Sequence, residues 1–200
     1  MKTTIDLIRH GEPLGGSRYR GSGVDDVLTE KGWQQMWDAV GNDCPWDVII
    51  SSPLKRCLEF SHALAKKYER PVEIIDDLKE VGFGTWEGRS KEEIKQEHPA
   101  EFESFYADPV HARPFGAENL QAFSDRVNRS YRQACDQYTG QHILIVAHAG
   151  VNRAIVARQL SAPLSAIYRL KIDNAGLTRL ETIDTQHNLI FLNCRSLPKN

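Results

Sequence analysis

The chain has 200 residues, of which 40% are hydrophobic and 26% are charged, a composition typical of a globular protein that folds as one domain. Its formal net charge of -2 excludes a bulk electrostatic attraction to nucleic acid or to acidic membranes. No apolar run approaches the ~20 residues of a membrane-spanning helix, and the run near the N-terminus is too short for a secretory signal. We therefore expect a cytoplasmic protein that binds neither nucleic acid nor membranes.

The cysteines are scattered along the chain and include no Cys-x-x-Cys pair. This spacing argues against a zinc site and against a redox motif. Cys57 and Cys135 fall on the apolar faces of predicted helices, so we interpret both as small core residues. The sequence does not indicate an oligomeric state.

The first predicted strand, residues 5–8, is mostly apolar and stops at Arg9 and His10. The same pattern returns at residues 143–147, where an apolar strand stops at His148. Ligands of open α/β sheets bind just beyond the carboxyl ends of the strands. The repeated pattern therefore favours one site that holds both imidazoles, although one histidine capping a strand and the other packing in the core is the alternative.

Residues 13–26 are rich in Gly, Ser and Arg and predict a loop. This loop brings Arg18 and Arg20 close to the His10 end of the first strand. Contact with a ligand and simple solvation are both open for these two arginines. Apolar residues at helical spacing then predict a helix over residues 28–40.

Residues 46–50 predict the second strand, and a helix follows it. Ser52 is a suitable N-cap for this helix, and Pro53 suits its first position. Lys55 and Arg56 then lie in the first turn, where cations oppose the helix dipole by about 0.3–1 kcal/mol each. This arrangement favours an anion held by the helix N-terminus and Arg56, rather than two solvated cations.

The middle of the chain predicts a short strand at residues 72–75 and then an excursion over residues 76–117. The excursion includes a glycine-rich stretch and a short helix over residues 90–98 that opens with a capping box. Residues 102–117 show little periodicity and are interpreted as a lid above the sheet. A long amphipathic helix is predicted over residues 120–138.

After the second strand-end histidine, the pattern predicts a helix over residues 151–160 and closing strands at residues 168–172, 177–183 and 188–194. The last two strands are expected to form a hairpin. The alternation of strands and helices predicts an α/β three-layer sandwich with a mostly parallel sheet and an antiparallel edge. We expect one domain that spans residues 1–200.

This combination of side chains suits the chemistry of a phosphate ester. Arginine side chains match the geometry of phosphate oxygens, and a neutral imidazole can attack phosphorus to form a covalent intermediate. A carboxylic acid can protonate the leaving oxygen and later deprotonate water. The sequence shows no Asp and His cluster at metal-ligand spacing, so we expect no metal and no other cofactor.

Four motifs, in this order, resemble the histidine phosphatase (phosphoglycerate mutase-like) superfamily. They are Arg-His-Gly-Glu at residues 9–12, Ser-Ser-Pro-Leu-Lys-Arg at 51–56, Glu80 ahead of Gly-Phe-Gly-Thr-Trp-Glu-Gly at 82–88, and Ala-His-Ala-Gly at 147–150. The resemblance extends through nearly the whole chain. It implies a phosphoglycerate mutase-like fold and a metal-independent phosphoryl transfer.

The resemblance also implies roles for individual residues. It assigns the nucleophile to His10, phosphate binding to Arg9, Arg56 and His148, and the proton donor to Glu80. For Glu80, a plain surface carboxylate is the alternative, because other acidic residues lie nearby in the sequence.

The chain departs from the family pattern after Arg-His-Gly-Glu. Where the family usually has Thr and, three positions later, an Asn that helps to hold the phosphate, this chain has Pro13 and Gly16. One phosphate donor is therefore missing. Ser17, Arg18 and Arg20 are the candidates to replace it.

Within the superfamily, the chain is most similar to the α-ribazole-5′-phosphate phosphatases of cobalamin nucleotide-loop assembly, through residues 116–118, 120–127 and 192–196. The resemblance implies a phosphomonoesterase that acts on a small-molecule phosphate. A phosphoglycerate mutase or sugar bisphosphatase is the alternative, and it is weaker because Val81 and Gly82 follow Glu80 instead of the usual Arg-His. A non-catalytic phosphate-binding domain is the third interpretation.

Overall fold

Six strands form one sheet in the computed structural model, which describes residues 1–183 and 186–198. The strands are β1 (Lys2–Arg9), β2 (Val48–Ser51), β3 (Val72–Ile74), β4 (His142–Ala147), β5 (Leu177–Ile183) and β6 (Gln186–Cys194). Their order across the sheet is β3-β2-β4-β1-β5-β6. The first four are parallel, and β5 and β6 form an antiparallel edge.

Helices lie in the connections between these strands. They are α1 (Glu30–Val40), α2 (Lys55–Tyr68), α3 (Lys91–Glu97), α4 (Pro99–Ala107), α5 (Leu120–Gln137) and α6 (Ala149–Gln159). Short 3-10 helices occur at Asp76–Leu78, Gly84–Trp86 and Leu164–Arg169. No helix within the described residues is long and apolar enough to cross a membrane.

Helices cover both faces of the sheet. Successive side chains of a strand point in opposite directions, so neighbouring residues of β1 belong to different buried clusters. Leu7 of β1 belongs to a buried cluster that includes Phe123 of α5 and residues of α6. The next residue, Ile8, belongs to a second buried cluster with Met36 of α1 and Phe60 of α2. The predicted three-layer α/β sandwich, with a mostly parallel sheet and an antiparallel edge, is confirmed.

The start of α2 differs from the prediction. Ser52 is not the N-cap and Pro53 is not the first helical residue, because the helix begins at Lys55. The Ser52 hydroxyl lies instead 2.8 Å from Nε2 of His148. The backbone N–H of Lys55 donates to a carboxylate oxygen of Asp25 at 2.7 Å. The anion at this N–H group is thus a side chain of the protein's own loop.

Residues 76–117 contain more helix than predicted. The capping box of Ser90 and Glu93 opens α3 as expected. Pro99, however, begins α4 rather than only ending the helix before it, in agreement with the preference of proline for the first turn. The predicted irregular segment 102–117 is therefore helical up to Ala107.

The predicted strand at residues 168–172 is wrong. A 3-10 helix ends at Arg169, and the carbonyl groups of Leu170 and Ile172 accept hydrogen bonds from arginine side chains rather than from a neighbouring strand. The hairpin of β5 and β6 is confirmed. Residues 184 and 185, between the two strands, lie outside the described residues.

Candidate active site

Two histidines lie side by side where β1 and β4 end. The strands are parallel neighbours in which Arg9 is paired with Ala147, so the following residues, His10 and His148, emerge at the same edge of the sheet. Their ring centroids are 5.3 Å apart, and the ring planes are inclined by 65°. The strand register therefore brings together two residues that are far apart in the sequence.

His10 is 5% exposed, and its ring is oriented by the adjacent backbone. Its Nδ1 lies 2.8 Å from the carbonyl oxygen of Gly11. A carbonyl only accepts, so Nδ1 carries the proton in this bond and Nε2 carries the lone pair. Burial lowers the pKa of His10 well below 6.5, and the charges of Arg9 and Arg56 lower it further. His10 is thus a neutral imidazole with a basic Nε2, the form that acts as a nucleophile.

Two arginines flank this imidazole, and both are held by backbone carbonyl groups. Nη1 of Arg9 donates to Ile172 at 2.9 Å, and burial lowers the pKa of Arg9 to about 10, so it remains charged at neutral pH. Arg56 is 1% exposed. Its Nη1 and Nη2 donate to Val24 at 2.7 Å and to Gly21 at 2.9 Å. Both cations are therefore preorganised.

Arg20 is buried and fastens the loop that follows β1. Its Nε donates to Asp26 at 2.9 Å, and its Nη2 donates to the carbonyl of Gly16 at 2.7 Å. Gly16, at the position of the family's Asn, has a positive φ of 72°, and this backbone region favours glycine. Ser17, Arg18 and Arg20 all reach the cavity described below.

His148 lies behind the wall of that cavity rather than on it. The cavity surface is formed at this point by Ala149 and Gly150. His148 is fully buried, its Nε2 is 2.8 Å from the Ser52 hydroxyl, and the Cys57 sulfur is 3.7 Å from the same nitrogen. Burial holds the pKa of His148 well below 6.5, so this imidazole is neutral as well.

The carboxylate of Glu80 is bound by two backbone N–H groups. Oε1 accepts from Val81 at 3.0 Å, and Oε2 accepts from Gly150 at 3.1 Å. Gly150 lies in the first turn of α6, where backbone N–H groups have no partner within the helix. Glu80 is therefore fixed at the same helix start that follows His148.

Glu80 is separated from its acidic neighbours by the shape of the surface. It lines the same cavity as His10. Asp76, Asp77 and Glu87 line a different cavity of about 410 Å³. The geometry thus favours Glu80 as the carboxyl group that faces the imidazole.

The cavity beside His10 has a volume of about 390 Å³. Polar side chains and an aromatic wall share its lining. The predicted site residues on its surface are Arg9, His10, Arg20, Arg56 and Glu80. The remaining side chains that define its character are Ser17, Arg18, Tyr19, Phe83, Lys91, Phe105, Tyr106, Arg153, Tyr168 and Asn174.

Sequence reasoning missed Arg153 and Asn174. Arg153 lies on α6, five residues after His148, and Asn174 lies in the segment that leads into β5. The position of Arg153 one turn into a helix that starts at a strand-end histidine was an available signal. Asn174 offered none, because the segment before it was interpreted as a strand.

Metal ligands were not expected. Within the described residues, no group of three or more His, Cys, Asp or Glu side chains could hold a metal ion. The charged groups that face the cavity are mainly cations, which suit an anion.

Comparisons with known proteins define the class to which this fold and site belong. The family model of the histidine phosphatase superfamily (branch 1) matches residues 5–195, and the chain belongs to this superfamily. The predicted superfamily is confirmed.

Individual relatives agree with this assignment. The adenosylcobalamin/α-ribazole phosphatase of Escherichia coli K12 is 29% identical over 194 residues, which are 96% of each protein. The phosphoserine phosphatase 1 of Hydrogenobacter thermophilus is 27% identical over 94% of this chain and 90% of its own. The crystal structure of the α-ribazole phosphatase from Shigella flexneri superposes with a TM-score of 0.85, at 29% identity, and covers 98% of this chain and 99% of its own.

Proposed function

We propose that the protein is a phosphomonoesterase that works through a phosphohistidine on His10 and that its substrate is α-ribazole 5′-phosphate. The observation that carries the reaction type is the His10 ring, which is neutral, oriented by Gly11 and flanked by Arg9 and Arg56. Membership of the histidine phosphatase superfamily supports the same chemistry.

The reaction has two displacements. Nε2 of His10 attacks phosphorus, the bond to the ester oxygen breaks, and that oxygen takes a proton from Glu80 as the alcohol leaves. Water then attacks the phosphohistidine and gives a proton to Glu80, and the phosphorus–nitrogen bond breaks. Inorganic phosphate and neutral His10 result. Nδ1 keeps its proton throughout and donates its hydrogen bond to the Gly11 carbonyl.

The arginines supply the electrostatic part of catalysis. Arg9 and Arg56 are held by backbone carbonyl groups before any ligand arrives. Fixed cations that face the phosphoryl oxygens stabilise the charge of the transition state without reorganising. Arg20 lies in the same cavity as a further cation, and His148 supports the His10 ring from behind. We propose that Arg9, Arg56 and Arg20 bind the phosphate. We propose the same for His148, whose Nε2 would give up its hydrogen bond with the Ser52 hydroxyl to contact the ligand.

The substrate class is supported by the cavity wall and by the relatives. The ring centroids of Tyr19 and Phe83 are 5.0 Å apart, and the hydroxyl groups of Tyr19 and Tyr106 are 2.9 Å apart. With Phe105, these rings form an apolar surface beside the cations. Such a surface suits a nucleotide with an apolar aromatic base, such as α-ribazole 5′-phosphate. Relatives named for that substrate match this chain nearly end to end.

Kinetics with a substrate panel tests the proposal. The wild-type enzyme should release inorganic phosphate from α-ribazole 5′-phosphate with a kcat/KM at least tenfold above those for phosphoserine, 3-phosphoglycerate and fructose bisphosphates. Activity should be the same after exhaustive treatment with a chelator, because cations of the protein neutralise the phosphate. Isomerised phosphoglycerate would favour a mutase, and activity restored by a divalent ion would contradict the metal-independent mechanism.

A further inference from the structure

The cavity contains a second cationic position beyond the phosphate-binding arginines. Arg153 of α6 lines the cavity and is held by a 2.7 Å hydrogen bond from its Nε to the carbonyl of Leu170. Its guanidinium carbon lies 5.8 Å from the centre of the Tyr168 ring. Within the described residues, the Arg153 side chain makes no other hydrogen bond than this one from Nε. Its two terminal nitrogens, Nη1 and Nη2, therefore remain available to a ligand.

One segment of backbone fixes Arg153 relative to the phosphate site. Leu170 accepts from Arg153, and two residues later Ile172 accepts from Arg9. The same segment returns to the nucleophile, where the N–H of Ala175 donates to the carbonyl of His10. Arg9, the residue before the nucleophile, and Arg153 are therefore fixed to the same backbone segment, and both line the cavity.

The other cations on the wall are used or exposed. Arg20, which is assigned to the phosphate above, is also paired with Asp26, and Arg18 and Lys91 lie on the exposed rim. Arg153 is only partly exposed. Under the proposed function, a phosphate dianion contacts Arg9 and Arg56. Arg153 is thus surplus to the binding of the phosphoryl group.

We infer that Arg153 is a specificity-determining residue that binds acceptor oxygens of the leaving group. Asn174, on the same wall, is placed to assist it. Under the proposed function, on which this inference rests, these oxygens are the ribose hydroxyls next to the esterified carbon. A carboxylate, as in phosphoserine, offers the same chemistry from a different source.

The test compares leaving groups with and without such oxygens. Arg153→Gln should lower kcat/KM about 10- to 100-fold on α-ribazole 5′-phosphate, the effect of losing hydrogen bonds from a charged donor. On phenyl phosphate, whose leaving group has no further oxygen, the loss should be at least tenfold smaller. The same contrast should separate phosphoserine from phosphoethanolamine, which lacks the carboxylate.

The control is Arg158→Gln. Arg158 is exposed in the last turn of the same helix, and its replacement should leave kcat/KM unchanged on both substrates. Equal losses on both substrates in Arg153→Gln would assign Arg153 to the phosphate or to the backbone segment and would overturn the inference. No loss on either substrate would overturn it as well.

Calorimetry separates failure of this inference from failure of the proposed function. The mechanism predicts that His10→Ala binds substrate without turnover. In this background, Arg153→Gln should weaken the binding of α-ribazole 5′-phosphate more than the binding of phenyl phosphate. A wild-type enzyme that prefers phosphoserine would refute the proposed substrate, and the phosphoserine and phosphoethanolamine pair would then decide the role of Arg153. Unchanged selectivity of binding would refute the inference even if the phosphatase activity is as proposed.

Discussion

The carboxylate of Glu80 rests against the backbone of Gly150. Oε2 accepts the Gly150 N–H at 3.1 Å, and a Cβ atom at position 150 would come within 2.2 Å of Oε1. The absence of a side chain at residue 150 therefore sets where the candidate acid stands. The contact also links Glu80 to the start of α6, directly after His148.

The first prediction concerns proton transfer by Glu80. Glu80→Gln keeps the shape of the side chain and removes its ability to give or take a proton. We expect kcat for an alkyl phosphate, which needs help to leave, to fall ~10²–10⁴-fold. With an activated aryl phosphate, the pre-steady-state burst should survive while dephosphorylation slows. Equal slowing of the transfer step on both substrates would mean that Glu80 positions phosphate or holds the loop.

Gly150→Ala supplies a matched test of the same assignment. The new methyl group displaces the Glu80 carboxylate, so kcat on the alkyl phosphate should fall more than on the aryl phosphate. In the Glu80→Gln background the same substitution should add little, because the acid is already lost. Fully additive losses would place the effect of residue 150 elsewhere.

The second prediction concerns stability and pH. Burial holds the pKa of His10 and His148 well below 6.5, whereas the unfolded chain binds protons at both residues below about pH 6.5. The unfolded state therefore gains protons first as the pH falls. The free energy of unfolding should drop between pH 7 and pH 5 by up to about 1.4 kcal/mol per pH unit for each histidine.

Urea unfolding at several pH values measures this slope. His148→Asn should make the slope shallower, because it removes one of the two groups. The exposed His62 provides the control, and His62→Asn should retain the wild-type slope. An unchanged slope in His148→Asn would contradict the account of a buried neutral imidazole.

The third prediction concerns a buried carboxylate away from the site. Asp6 is fully buried and accepts from Arg179 at 2.8 and 2.9 Å, from Trp46 at 2.8 Å and from His142 at 2.9 Å. Asp6→Asn removes the buried charge that pairs with the partly buried Arg179 and should cost about 3–5 kcal/mol in chemical denaturation, with kcat of the folded enzyme preserved. Asp38→Asn, at an exposed residue, should change stability by less than about 0.5 kcal/mol.

The sheet and the pairing of the two histidines could be predicted from the sequence. Apolar strands that end in His10 and His148 are local patterns, and parallel strands bring their carboxyl ends to one edge. In the structure, β4 lies next to β1 in the sheet, and this places the two histidines side by side.

Features that depend on partners distant in the sequence could not be predicted from local patterns. Ser52 has the sequence of an N-cap, but its hydroxyl contacts His148, and Asp25 from a distant loop meets the start of α2. Residues 168–172 have the composition of a strand, but their carbonyl groups bind arginines. Arg153 lies one turn into α6, but its hydrogen bond to Leu170 joins two segments that the local sequence pattern does not connect.

The central claim, that His10 is the phosphorylated nucleophile, is tested most directly by trapping the intermediate. Wild-type enzyme quenched in alkaline denaturant during turnover of ³²P-labelled substrate should carry phosphate that is stable to base and labile to acid, as a phosphohistidine is. Peptide mapping should locate it on His10, and His10→Ala should carry no label and show no turnover. Label on another residue, or wild-type rates in His10→Ala, would contradict the mechanism.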